Sequence, residues 1–246
     1  MSKHVVSFNS GASYWLKLSL PFLIAIAACV PALRLVLGDV EHSPIEGLWS
    51  FGLAIVAAAF VLGWIGEAAW RISPNKDTRP ENISPDLLVI HHISLPPGEF
   101  KNRTSSQHII NFFQNTLDPS AHPYFAEIAD QKVSSHFLIT RTGELIQFVP
   151  TRNRAWHAGS SSFMGREKCN DFSIGVELEG DGNNPFTEIQ YKSLAQLVQK
   201  LLSSYPNLQF AGHSDIAPDR KTDPGKYFEW AKFQKETGIS QEIGRA

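Results

Sequence analysis

Hydrophobic positions along this chain follow two regimes. Up to residue 70 they run together; beyond it they recur with the periods of strands and helices. The run "LSLPFLIAIAACVPALRLVL", Leu18 to Leu37, is broken only by Ser19, two prolines and Arg34. The run "WSFGLAIVAAAFVLGWIGEAAW", Trp49 to Trp70, carries no charge before Glu67. Each is about long enough to cross a bilayer as a helix, and tryptophans at both ends of the second match an interfacial aromatic belt. The pattern predicts an N-terminal membrane hairpin over residues 1–70, with transmembrane helices at about 18–37 and 49–69. A pair of buried core helices is the competing reading, and the remainder of the chain, already a full domain in length, argues against it.

Lysine and arginine set the expected orientation. Lys3 and Lys17 precede the first run and Arg71, Lys76 and Arg79 follow the second, while the connector "GDVEHSPIEG" has three acids and no lysine or arginine. The positive-inside bias then places both termini in the cytoplasm, with the hairpin in the lipid bilayer of the inner membrane. Arg34, near the outer end of the first helix, can snorkel to the interface. The rival is a lipid anchor. "IAAC", Ile26 to Cys29, fits the small-residue box before an acylated cysteine and would put the rest of the chain in the periplasm. Val30 onward stays apolar, however, where a mature lipoprotein turns polar.

"RISPNKDTRPENISPD" is polar and proline-rich, so residues 71–85 read as a linker or extended strap into a domain at 86–246. "LLVIHHISL" is a continuous apolar run of strand length, suited to the middle of a covered sheet. "SSQHIINFFQNTL" has helical spacing in Ile109, Ile110, Phe112 and Phe113, and "HPYFAEIADQK" reads as a loop or short helix. "VSSHFLITRTGELIQFVP" is a hairpin turning at Gly143, and "FSIGVELEG" alternates as a strand. "TEIQYKSLAQLVQKLLSSYP" is an amphipathic helix with Leu194, Leu197, Val198, Leu201 and Leu202 on its core face. Helices interleaved with strands predict an α/β fold with a mixed central β-sheet flanked by helices.

Composition adds exclusions. Of 246 residues, 22 are Lys or Arg and 24 Asp or Glu, a formal net charge of −2 that offers nucleic acid no basic surface. The two cysteines, Cys29 and Cys169, make no disulfide framework and lack zinc-cysteine spacing, which fits a reducing compartment.

The candidate chemistry collects at strand ends. "LLVI" delivers the chain to His91 and His92, whose side chains point to opposite faces, so both cannot enter one site from the strand. "LQFAG" delivers it to His213, which opens "HSDIAPDRKTDPG", read as a rigid loop without helix or strand. Two histidines need a third ligand to hold zinc, and Asp215 and Asp223 are the candidates. Lys221 points roughly as Asp223 does. A lysine aimed at a metal makes sense where an oxyanion forms. Along "DFSIGVELEG", Ser173, Gly175, Glu177 and Glu179 share one face, either a solvated surface or the lining of a cleft; Gly175 opens space beside Glu177, a candidate general base. These patterns suggest a zinc hydrolase with two histidines and a carboxylate, with no substrate specified.

Four stretches, "HHISLPPGEF", "LDPSAHPYFAEIADQKVSSHFLI", "RAWHAGSSSFMGREKCNDFSIGVELEG" and "GHSDIAPDRKTDPG", closely resemble the AmpD-type zinc amidases, cytoplasmic 1,6-anhydro-N-acetylmuramoyl-L-alanine amidases of peptidoglycan recycling. The likeness runs from about Arg71 to about Phe233. It implies a fold shared with peptidoglycan recognition proteins, a Zn2+ cofactor held by His91, His213 and Asp223, Glu177 as the base that activates water, and Lys221 steadying the oxyanion. It implies an anhydro-muropeptide substrate, cut between the lactyl group of anhydro-muramic acid and L-alanine. His92 stands where the family usually has asparagine, and Lys168 where it often has arginine; with Trp156 and His157 they are the expected substrate-binding residues. A zinc-free peptidoglycan-binding module, an envelope-facing amidase and a membrane scaffold are the alternatives, the first opposed by the intact ligand set.

Overall fold

A computed structural model describes residues 62–100 and 103–239 of the chain. Its strands are β1 (Ala69–Trp70), β2 (Lys76–Thr78), β3 (Leu87–Ile93), β4 (Phe137–Ile139), β5 (Leu145–Gln147), β6 (Asn153–Ala155), β7 (Ser162–Phe163), β8 (Arg166–Glu167), β9 (Ser173–Glu179) and β10 (Gln209–Gly212). Its helices are α1 (Arg103–Phe113), α2 (Pro123–Ile128), α3 (Glu188–Ser204), α4 (His213–Ile216) and α5 (Trp230–Thr237).

Six strands form the main sheet in the order β1-β5-β4-β9-β3-β10. Only β4 and β5 run antiparallel; the other neighbours are parallel, so the sheet is mixed as expected. The continuous apolar run of β3 and the alternating run of β9 lie side by side in its middle, and all seven residues of β9 are buried. The solvated-face reading of β9 therefore fails: its polar side is covered.

Leu194, Leu197, Val198 and Leu201 of α3 pack with Leu88, Ile90, Ile174, Val176 and Phe210 of the sheet, with Leu202 partly buried beside them. Thr187 starts that helix with a capping box to Gln190, satisfying amide groups that would otherwise lack partners. A second apolar layer joins Ile109 and Phe113 of α1 and Phe125 of α2 to Leu138, Ile146 and Phe148. With both faces covered, a parallel sheet leaves its C-terminal strand ends as the natural place for a site. β3, β9 and β10 end there together.

The expected membrane hairpin meets a correction. Residues 18–37, the acylation box at Cys29 and most of the second run lie outside the described residues. The described end of the second run is no helix: residues 62–68 are turns and irregular backbone, and Ala69–Trp70 form β1, paired with Ile146 and Gln147. Trp64 is buried and its ring meets that of Trp70 at 5.2 Å, a packing contact and no part of an interfacial belt. Among the described residues no helix is long and apolar enough to cross a membrane. The inner-membrane location rested on two spans with the charges balanced across both, and the described end of the second run, residues 62–70, forms no part of a helix.

Nor is residues 71–85 a linker. Lys76–Thr78 pair antiparallel with Asn153–Ala155, and Ser73 and Asn75 are buried. Arg79 donates to the carbonyls of Thr151, Asn170, Asp171 and Ser173 at 2.7–3.2 Å. Ser73, Asn75 and Arg79, among the polar residues that made this stretch look solvated, are spent on backbone carbonyls.

Candidate active site

His91 leaves the sheet near the end of β3. His213 is the first residue of α4, directly after β10, and that one helical turn corrects the expectation of loop throughout 211–225. Asp223 follows on the loop, which is tied back by Ser214 N–H donating to Asp223 O at 2.8 Å. The three side chains meet: His91 Nδ1 lies 2.9 Å from His213 Nδ1 and 2.9 Å from Asp223 Oδ2, and His213 Nδ1 lies 3.0 Å from that same oxygen. All three are buried. Asp215, the other carboxylate considered, caps α4 instead, accepting Gly212 N–H at 2.7 Å.

Two imidazole nitrogens and a carboxylate oxygen converging at such separations are a group that could hold a metal ion. A tetrahedral ion with bonds of about 2.0–2.1 Å spaces its ligand atoms roughly 3.3 Å apart, so the triangle fits after opening by a few tenths of an ångström. Burial, against the pull of Asp223, lowers the His91 pKa to about 4, which keeps a lone pair available at neutral pH. Burial alone would raise the Asp223 carboxyl, but its contacts with His213 and His91 outweigh that and hold it well below the usual carboxylate range.

Glu177 of β9 is paired in register with His91 of β3. It is buried, and its Oε2 has no hydrogen-bond partner among the described residues. Burial, reinforced by the charge of Asp223 and opposed by Lys221, pushes its carboxyl well above the ordinary value. An unpartnered buried carboxylate oxygen is costly and suits a group that must take a proton. Lys221 lines the same cleft. Glu179, two residues on, is fully engaged: it accepts from Ser105 Oγ, Ser106 Oγ and Arg141 N–H at 2.8–2.9 Å.

The cleft encloses about 620 Å³, within the usual range for a small-ligand site. One wall is apolar, with Leu95, Phe112, Tyr124, Ile128 and Val133; Asp181 and Asn183 stand on a polar rim. These wall residues escaped the sequence reading because their spacing is that of ordinary core, and only the hole they surround distinguishes them. His92 lines the cleft too, packed where a Cβ on Gly182 would lie 2.6 Å from its Nε2. The expectation that adjacent histidines cannot share a site thus fails at a strand end, where the cleft reaches both sides of the strand. Trp156 lines the cleft, its backbone N–H donating to Ser134 Oγ at 3.1 Å. His157 lines it as well, with one nitrogen on His91 and the other on Ser173. Lys168 is exposed, in left-handed backbone at φ 60°, and is not among the cleft-lining residues.

The family model for N-acetylmuramoyl-L-alanine amidase matches residues 81–226. The chain is 51% identical over 180 residues to the 1,6-anhydro-N-acetylmuramyl-L-alanine amidase AmpD of Salmonella typhimurium, covering 72% of this chain and 94% of that protein. It is 52% identical over 174 residues to AmpD of Citrobacter freundii, covering 70% and 91%. The fold matches the crystal structure of a selenomethionine AmpD derivative with a TM-score of 0.68 at 51% identity, over 71% of this chain and 97% of that one. Less than three quarters of this chain accounts for nearly all of each relative, so nothing in these likenesses supports the inner-membrane location.

Proposed function

The chain belongs to the N-acetylmuramoyl-L-alanine amidase family, and from that membership we propose that it is a zinc-dependent 1,6-anhydro-N-acetylmuramyl-L-alanine amidase of peptidoglycan recycling. The observation that supports this best is the convergence of His91, His213 and Asp223 beside the unpartnered Glu177 oxygen. His91 and His213 would hold the ion through Nδ1 and Asp223 through Oδ2. Zinc, when bound, supplies a Lewis acid for the scissile carbonyl and acidifies water toward neutral pH.

The chain's own residues complete the chemistry. Glu177 takes the proton from the attacking water and later returns it to the leaving amine nitrogen of L-alanine, so one water is consumed and the base is regenerated. The Lys221 ammonium offsets the negative charge that develops on the carbonyl oxygen, a preorganised contribution that costs no reorganisation at the moment of reaction. The apolar wall from Leu95 to Val133 limits water around the reacting bond, which strengthens both charge interactions.

Mass spectrometry of anhydro-muropeptide incubated with the full chain tests this reading. The expected products are anhydro-muramic acid and a peptide with a free L-alanine amine, absent after chelation and restored by zinc. Unchanged substrate in the zinc-loaded protein refutes the proposal.

A further inference from the structure

The second nitrogen of each histidine in the triad is held by one dipeptide. His91 Nε2 lies 2.9 Å from His157 Nδ1, and His213 Nε2 lies 3.1 Å from the carbonyl of the next residue, Ala158. A histidine that offers Nδ1 to a metal carries its proton on Nε2, and that proton needs an acceptor. The Ala158 carbonyl can only accept. His157 can play the same part only with its proton on Nε2, and its surroundings impose that tautomer: His157 Nε2 meets Ser173 Oγ at 3.2 Å, and Ser173 spends its own hydrogen on Cys169 O at 2.5 Å. The donors therefore run in one direction, from His91 to His157 to Ser173 to Cys169.

The dipeptide is itself fixed. Asn170 Oδ1 accepts the N–H of His157 at 3.1 Å and of Ala158 at 2.8 Å, and Arg220 donates to Ala158 O at 2.6 Å. Room for the imidazole comes from β9, where a Cβ on Gly175 would lie 2.6 Å from His157 Cγ. The notch opened by that glycine is thus filled by a ring standing behind His91.

We propose that His157 is a positioning residue for the metal centre: through Nδ1 it fixes the orientation and tautomer of His91, while Ala158 O does the same for His213. The inference rests on His91, His213 and Asp223 holding zinc, as proposed above. A partner of this kind is worth roughly 10- to 100-fold in metal affinity.

The test is zinc affinity of the full chain, by competition with a chromophoric chelator, beside thermal unfolding of each protein without metal. His157→Phe keeps a ring of similar size and removes the acceptor; it should bind zinc about 10- to 100-fold more weakly. His157→Asn places an amide oxygen near the lost Nδ1 and should recover most of that affinity. Ser173→Ala leaves the ring in place but frees its tautomer, and should weaken binding even if the phenylalanine variant does not fold. Wild-type affinity in a folded His157→Phe protein, or in Ser173→Ala, overturns the proposal. Failure of the wild-type chain to bind zinc overturns the metal assignment instead, so the two failures are distinct.

Discussion

Glu177 and His91 face each other across adjacent parallel strands, paired residue to residue in the middle of the sheet. The pairing puts a proton acceptor and a candidate metal ligand on the same rigid framework, and the two can be separated experimentally. Glu177→Gln keeps the shape and loses the basicity. It is expected to retain stoichiometric zinc and to lose turnover by on the order of a hundredfold or more. Near-normal turnover in the zinc-loaded variant would move the base elsewhere; Glu179, held by three donors, is badly placed to take over.

The ligands behave differently. His91→Ala, His213→Ala and Asp223→Ala should each abolish tight zinc binding and activity together, because a three-ligand site has no spare donor. Elemental analysis after gel filtration reads the outcome. Stoichiometric zinc retained in all three variants would disprove the assignment.

Much of this arrangement was legible in the sequence because it is local. The apolar runs before His91 and His213 announce strands, and residues at the ends of neighbouring strands converge. The leucine spacing of α3 is visible for the same reason. What stayed hidden was non-local. Gly175 could be read as a gap, but the ring that fills it comes from the loop after β6. Arg79 could be read as a surface charge, because only the fold shows the carbonyls that surround it. The second apolar run misled because a terminal tryptophan such as Trp70 looks the same in an interfacial belt as at a packed edge, where Trp64 meets it.

Gly175 offers a direct stability test. A Cβ there would lie 2.6–2.8 Å from three atoms of the His157 ring, too close for a side chain backed by His91 and Ser173 to yield easily. Gly175→Ala should cost about 1–3 kcal/mol as an overpacking change and should weaken zinc binding as well, since the displaced ring is the acceptor for His91. Urea unfolding and chelator competition measure the two effects. An alanine variant as stable as the parent would show that the ring has room to move.

Acid sensitivity follows from His136, which is fully buried, accepts Gly175 N–H on Nδ1 at 3.0 Å and lies beside Arg79. Burial first, then the Arg79 cation, pushes its pKa well below the ordinary value of 6.5. The unfolded chain therefore binds a proton that the folded one refuses. The contribution to stability is complete above pH ~6.5 and is lost as the pH falls below it, by up to about 1.4 kcal/mol per pH unit for one such group. Unfolding free energy of metal-free protein should fall between about pH 6.5 and 5, and His136→Asn should show a shallower slope over that window. An unchanged slope would mean that other groups govern the acid limb.

The stretch before β3 supplies the last test, because it distinguishes a strap from a linker. Ser73 donates to Phe113 O at 2.5 Å, Asn75 to Val133 O at 2.7 Å, and Arg79 reaches the segment around Asn170, whose side chain holds His157 and Ala158. Residues 73–79 are thus bound into the domain beside the cleft. A chain beginning at residue 62 contains every site residue named above and should fold, bind zinc and turn over anhydro-muropeptide. A chain beginning at residue 86 loses β1, β2 and these donors, leaving buried carbonyls without partners at a cost of roughly 1–3 kcal/mol each, and should not fold stably. Arg79→Met isolates one part of that effect: it removes the donors to four carbonyls, keeps most of the side-chain volume, and should lower stability by about 2–4 kcal/mol while weakening zinc binding through Asn170. Circular dichroism, urea unfolding and chelator competition on the three proteins decide the matter. A folded, zinc-binding chain starting at residue 86 would show that the strap is dispensable.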